Sequence, residues 1–222
     1  MMTAAKILAS AVILGTLTAS ATRSEPGHRT ARNHAVASDW TIGPIIRGRN
    51  YSRGMPLRPT ARRGGGWQVE LPQAPNSIHY VTFRHGPLAG KRRIVMHYRI
   101  EAEPGVRIVP RTSPASPSMI TLYIQQRGDD WSARGPYEAF RWFANFATQS
   151  PVTPGEHVLV APLSGNWSAV QWSTVQTNPA GFRTALANAD QVGFVLGGGE
   201  GLGHGVYATG RARLIVKSFR IE

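Results

Sequence analysis

The chain of 222 residues has no cysteine. That excludes disulfides, thiolate zinc sites, iron–sulfur clusters, cysteine nucleophiles and a cysteine-linked lipid anchor. Acidic residues are scarce: 12 Asp and Glu stand against 25 Lys and Arg, for a formal net charge of +13. Lysine is scarcer still, because 22 of those basic residues are arginine. After residue 21 no segment is apolar and long enough to span a membrane, and helical periodicity is nearly missing. The familiar catalytic signatures are also missing: no G-x-S-x-G elbow, no phosphate loop, no H-E-x-x-H and no S-x-x-K.

What is present begins with an export signal. Lys6 supplies a positive n-region, residues 7–17 an apolar stretch, and Ala19-Ser20-Ala21 a small-x-small cleavage site. As a helix, residues 7–21 would be about 22 Å long, short of the roughly 30 Å hydrocarbon core. The expected organisation is a signal peptide over 1–21, a flexible basic lead-in over 22–38 and one domain over 39–222. A periplasmic or secreted location follows from that reading.

From Trp40 onward, short apolar runs are cut by turns, in keeping with 24 glycines and 16 prolines. Strands are expected over 67–71, 78–84, 93–101, 106–109, 119–126, 140–146, 157–162, 191–196 and 211–221. Ile94, Met96, Tyr98 and Ile100 alternate with Val95, His97, Arg99 and Glu101. Ile120, Leu122 and Ile124 likewise oppose Thr121, Tyr123 and Gln125. One short helix is expected over 179–188, capped by Asn178 with Pro179 at its first position. Many short strands without helical crossovers predict an all-β fold, a two-sheet antiparallel sandwich. The long connections 110–118 and 128–136 suit a jelly roll. The segment 47–63 reads as an ordered but irregular crossing.

The excess of arginine permits a polyanion partner, such as an anionic envelope surface. No recognition-helix pattern and no RNA-binding sheet motif is present, so nucleic acid is not the expected partner. The aromatic residues are more informative. Trp131 and Tyr137 lie in the polar loop 128–138, beside Asp129, Asp130, Arg134 and Glu138. A flat aromatic next to hydrogen-bonding side chains is what a sugar ring requires. The alternative is that Trp131 folds back and plugs one end of the sandwich. Phe140, Trp142, Phe143, Trp67, Trp167 and Trp172 are expected between the sheets. Arg99 and Glu101 on one strand, with Tyr123 and Gln125 on another, would form a polar patch if those strands were neighbours.

Three further features have competing readings. The run 197–205, with His204, is a glycine-rich hairpin loop or the rim of a site. Glu101 and Glu103 are solvated strand-end residues or a carboxylate pair of the kind glycosidases use. Asp129 and Asp130 are turn-formers or oxygen ligands for calcium.

The C-terminal third carries a resemblance. Phe182-Arg183-Thr184-Ala185-Leu186 precedes Val192-Gly193-Phe194-Val195-Leu196, Gly203-His204-Gly205-Val206 follows, and the chain ends in Ser218-Phe219-Arg220-Ile221. This order of short helix, V-G-F strand and closing S-F-x-I strand resembles galactose-binding-like jelly-roll domains, which include many carbohydrate-binding modules. The resemblance implies a sandwich closed by its last strand, with sugar contacts from a sheet face or edge loops. The resulting expectation is an exported, non-catalytic glycan- or polysaccharide-binding protein. Its candidate ligand-binding residues are Trp131, Tyr137, Arg134, Arg99, Glu101, Tyr123, Gln125 and His204. Two alternatives stand beside it. One is a carbohydrate-active enzyme using Glu101 with Asp129, Asp130 or His204. The other is a structural envelope protein held electrostatically to anionic polymer or lipid.

Overall fold

The structure, a computed structural model, describes residues 36–75 and 77–222. The expected signal peptide and most of the expected lead-in lie outside the described residues. The first strands are β1 (Trp40–Gly43), β2 (Ile45–Ile46), β3 (Arg49–Asn50), β4 (Thr60–Ala61), β5 (Trp67–Glu70), β6 (His79–Arg84), β7 (Arg93–Ala102) and β8 (Ile108–Pro110). Then follow β9 (Met119–Gln126), β10 (Arg141–Ala144), β11 (Ser150–Pro151), β12 (Gly155–Pro162), β13 (Trp167–Ala169), helix α1 (Pro179–Ala187), β14 (Ala189–Gly197), β15 (Val206–Ala208) and β16 (Ala212–Ile221).

Two antiparallel sheets carry the fold. The first runs β1-β6-β14-β9-β10-β13, with β11 also on β9; the second runs β12-β7-β16-β5-β4. Successive long strands alternate between the sheets, except β9 and β10, which pair directly. This interleaving is the jelly-roll arrangement, in which long crossings rather than hairpins join neighbours. The core lies between the sheets because each strand turns one alternate set of side chains inward. Ile94, Met96, Tyr98 and Ile100 of β7 meet Ile120, Leu122 and Ile124 of β9 there, as their alternation predicts.

Trp40 is at the centre of the aromatic core. Its ring lies 4.8 Å from Phe83, 5.1 Å from Trp67, 5.2 Å from Phe219 and 5.8 Å from Phe194. Helix α1 closes one side of the core, setting Phe182 4.9 Å from Trp142 and 5.8 Å from Trp167. Its N-terminus is capped as predicted: the Gly181 N–H donates to Asn178 Oδ1 at 2.9 Å. Three expected core aromatics lie elsewhere. Phe140 is only partly buried and packs edge-on against Tyr137. Phe143 faces away from the core in a second buried cluster, and Trp172 is 52% exposed on a turn beyond β13.

The segment 47–63 joins the sandwich rather than merely crossing it. It supplies β3, which pairs with β2, and β4, which extends the second sheet at β5. The turn into β5 requires glycine. Gly66 has φ +73°, and a Cβ there would lie 2.3 Å from the Val216 carbonyl oxygen.

Candidate functional site

The outer face of the first sheet is not an ordinary solvated surface. Tyr80 of β6, Tyr123 of β9, Phe143 of β10 and Val195 of β14 form a buried cluster on it, apart from the main core. Trp131, Val170, Leu202 and Ile78 cover this cluster. The alternation that sends Val81 and Phe83 inward sends Tyr80, Thr82 and Arg84 outward. Beside the cluster opens a cleft of about 500 Å³, lined by Tyr80, Thr82, Arg84, Gln125, Trp131 and Gln191, and by the start of the domain at Asp39 and Thr41.

The loop after β9 positions Trp131. The Asp129 carboxylate accepts from the Trp131 N–H at 3.1 Å and from Gln125 Nε2 at 2.9 Å. It also lies 3.0 Å from Arg141 Nε, in an ion pair whose side chains are buried. Arg141 in turn donates to the Trp131 carbonyl at 3.2 Å and stacks its guanidinium 4.8 Å from the Trp131 ring centre. Tyr80 meets the same indole edge-on at 5.4 Å. Trp131 itself holds φ +69°, a left-handed conformation that a bulky residue adopts only when its surroundings impose it.

The electrostatics follow from this burial. Desolvation pushes the Asp129 carboxyl above its usual range, and the Arg141 charge only partly opposes the shift. Burial also pushes the Tyr80 hydroxyl up to about 12 and raises that of Tyr123 well above the usual phenol value. Both phenols are therefore neutral at physiological pH and do not serve as bases.

The candidate residues divide between several places. Trp131 and Gln125 line the cleft. Tyr123 lies beneath it with its side chain fully buried, so no ligand reaches it without displacing the cover. Arg99 and Glu101 lie elsewhere, because β7 belongs to the second sheet and is not a neighbour of β9. Their side chains take part in charge pairs on that sheet: Arg99 with Glu101 at 3.2 Å and Glu156 at 3.5 Å, and Glu101 with Arg213 at 3.2 Å. Glu101 and Glu103 do line one cleft of about 640 Å³, together with Glu70, Arg211 and Arg213. Glu101 is thus on a different sheet from the Asp129 loop, and the proposed acid–base partners are not brought together. Tyr137 packs edge-on against Phe140 at 4.9 Å, and Arg134 is exposed; neither lines the first cleft.

His204 sits in the glycine-rich loop, 3.2 Å from Glu200, and its carbonyl accepts from Arg111 Nε at 2.6 Å. The neighbouring Gly203 matters more for the site. A Cβ there would lie 2.6 Å from the Tyr80 ring, so glycine lets the loop close over the phenol. At the expected calcium position, Asp129 is committed to Arg141, Gln125 and Trp131, while Asp130 accepts from the Ser132 N–H at 2.8 Å. Both carboxylates thus perform turn chemistry. Among the described residues no three His, Asp or Glu side chains cluster as metal ligands do.

The sequence reading missed Tyr80, Thr82, Arg84 and Gln191. The alternation of β6 was a usable signal for the first three. Gln191 comes opposite Arg84 only through the β6–β14 register. Neither a scan against protein-family models nor a search of curated proteins found a match to this chain.

Proposed function

We propose that this is an exported, non-catalytic glycan-binding protein of the cell envelope, with its site in the cleft on the outer face of the first sheet. The observation that carries the proposal is the lining of that cleft. A partly exposed indole, fixed by Asp129 and Arg141, borders a space rimmed by Thr41, Thr82, Gln125 and Gln191. A sugar ring presents apolar C–H faces to an aromatic surface and hydroxyls to such polar groups. The cleft volume of about 500 Å³ is of the size that takes a small ligand or one to two sugar rings. The likeness of the C-terminal segments to galactose-binding-like domains supports the same reading. The leader-like segment at 1–21 supports export.

The test is binding of the protein to a broad glycan panel at low and high salt. A defined glycan is expected to bind at both, with binding lost in Trp131→Ala and weakened in Gln191→Ala. Retention on acidic polymers alone, and only at low salt, would favour attachment by net charge instead.

A further inference from the structure

One wall of the cleft presents side-chain donors that no protein contact uses among the described residues. Gln191 lies directly across from Arg84 in the β6–β14 register. The Thr82 hydroxyl donates to Gln191 Oε1 at 2.7 Å, which turns the amide nitrogen away from Thr82. That leaves both Gln191 Nε2 hydrogens without a protein acceptor among the described residues. The Arg84 guanidinium is likewise without an ion-pair or hydrogen-bond partner among the described residues, and it is exposed at the cleft wall. Arg58 adds a second guanidinium to the lining, anchored through Nη1 on the Ser38 carbonyl at 2.6 Å. Against these two cations the lining holds one carboxylate, Asp39, which forms an ion pair with neither.

We infer that the glycan bound here carries a carboxylate, as a uronic acid does, and that Arg84 and Gln191 receive it. This rests on the glycan-binding reading and narrows it. A guanidinium presents parallel N–H donors that match the two oxygens of a carboxylate. The Gln191 amide, held by Thr82, adds a donor whose orientation is set before binding. Trp131, bordering the same cleft, covers the apolar face of the sugar ring. A neutral sugar would leave the Arg84 charge without a counter-group; a carboxylate supplies one.

The probe is a set of matched oligosaccharides: a uronic-acid oligomer, its methyl ester, the corresponding neutral oligomer and a sulfated one. Binding is measured at moderate salt and again near 1 M, where exposed charges are screened beyond about 3 Å. The variants are Arg84→Gln and, as a control that removes one charge elsewhere, Arg183→Gln on the exposed side of α1. The acid oligomer is expected to bind at least tenfold more tightly than its ester. Arg84→Gln is expected to erase that preference without lowering thermal stability, and Arg183→Gln is expected to keep the preference.

Equal binding of acid, ester and neutral oligomers would overturn the inference and leave the glycan reading standing. Equal loss in both variants would make the preference a general charge effect and would also overturn it. Tighter binding of the sulfated oligomer would refute carboxylate recognition. Failure of every oligomer to bind would overturn both the inference and the reading beneath it.

Discussion

Asp129 is an acid whose side chain is fully buried next to a single arginine. Desolvation outweighs the Arg141 attraction in setting its proton affinity, so the pair is not there chiefly to add stability. Its evident role is positional: the same carboxylate holds the backbone of Trp131 and the amide of Gln125. Removing one partner strands the other charge in a dry place. Asp129→Ala is therefore expected to cost about 3–5 kcal/mol in denaturant unfolding. A double replacement of Asp129 and Arg141 by apolar residues should recover much of that loss, whereas Trp131 should remain misplaced and glycan binding lost.

His79 gives the protein a pH dependence. Its side chain is buried, with Nδ1 2.8 Å from the Ser52 hydroxyl and Nε2 3.2 Å from the Val206 carbonyl. Burial lowers its pKa from 6.5 to about 4. The folded state therefore keeps the imidazole neutral where the unfolded chain already takes a proton. Stability should fall as pH drops from about 6.5 to about 4, by roughly 3 kcal/mol, and this contribution should level off below that. His85, also lowered by burial, acts in the same direction. Urea unfolding across that range, with His79→Gln for comparison, should show a shallower slope in the variant.

At the scale of elements, much was legible and the gaps have physical causes. The bounds of β9 match the expected strand because polar–apolar alternation runs through its centre, from Ile120 to Gln125. The cap of α1 was legible because an Asn-Pro pair encodes both the side-chain acceptor and the fixed φ. Asn178→Ala should cost about 1 kcal/mol, measurable as a lower midpoint in thermal unfolding. The short strands β4, β11 and β13 were not legible, since two or three residues carry no periodicity. Burial of the Tyr123 face was hidden for another reason. Its polar side of β9 looks solvated until the 128–134 loop and the 198–205 loop fold over it, and no local pattern encodes that covering.

At the scale of the whole molecule, the decisive fact is which strands share a sheet. Sequence alternation named the core faces of β7 and β9 correctly, but it cannot say that one strand lies in each layer. Arg99 and Glu101 were thus grouped with Tyr123 and Gln125 although the sandwich separates them. Trp131 was recognisable as a candidate because it sits in a polar loop, whereas Arg84 and Gln191 become partners only through long-range pairing. The jelly roll presents two different outer surfaces. The first sheet has an aromatic cluster and the Trp131 cleft; the second carries crossed charge pairs such as Lys217–Glu156 at 2.7 Å. Exposed pairs of that kind contribute little to stability, and Arg99→Ala and Glu101→Gln should fold normally. If the first sheet is the ligand face, those two variants should bind glycan as the unaltered protein does.

The most direct test of the central claim is therefore glycan-panel binding of the protein beside Trp131→Ala and Arg99→Ala, at low and high salt. The account predicts salt-resistant binding to a defined glycan, abolished by Trp131→Ala and unchanged by Arg99→Ala. Binding that survives Trp131→Ala but fails in Arg99→Ala would contradict it and move the site to the other sheet.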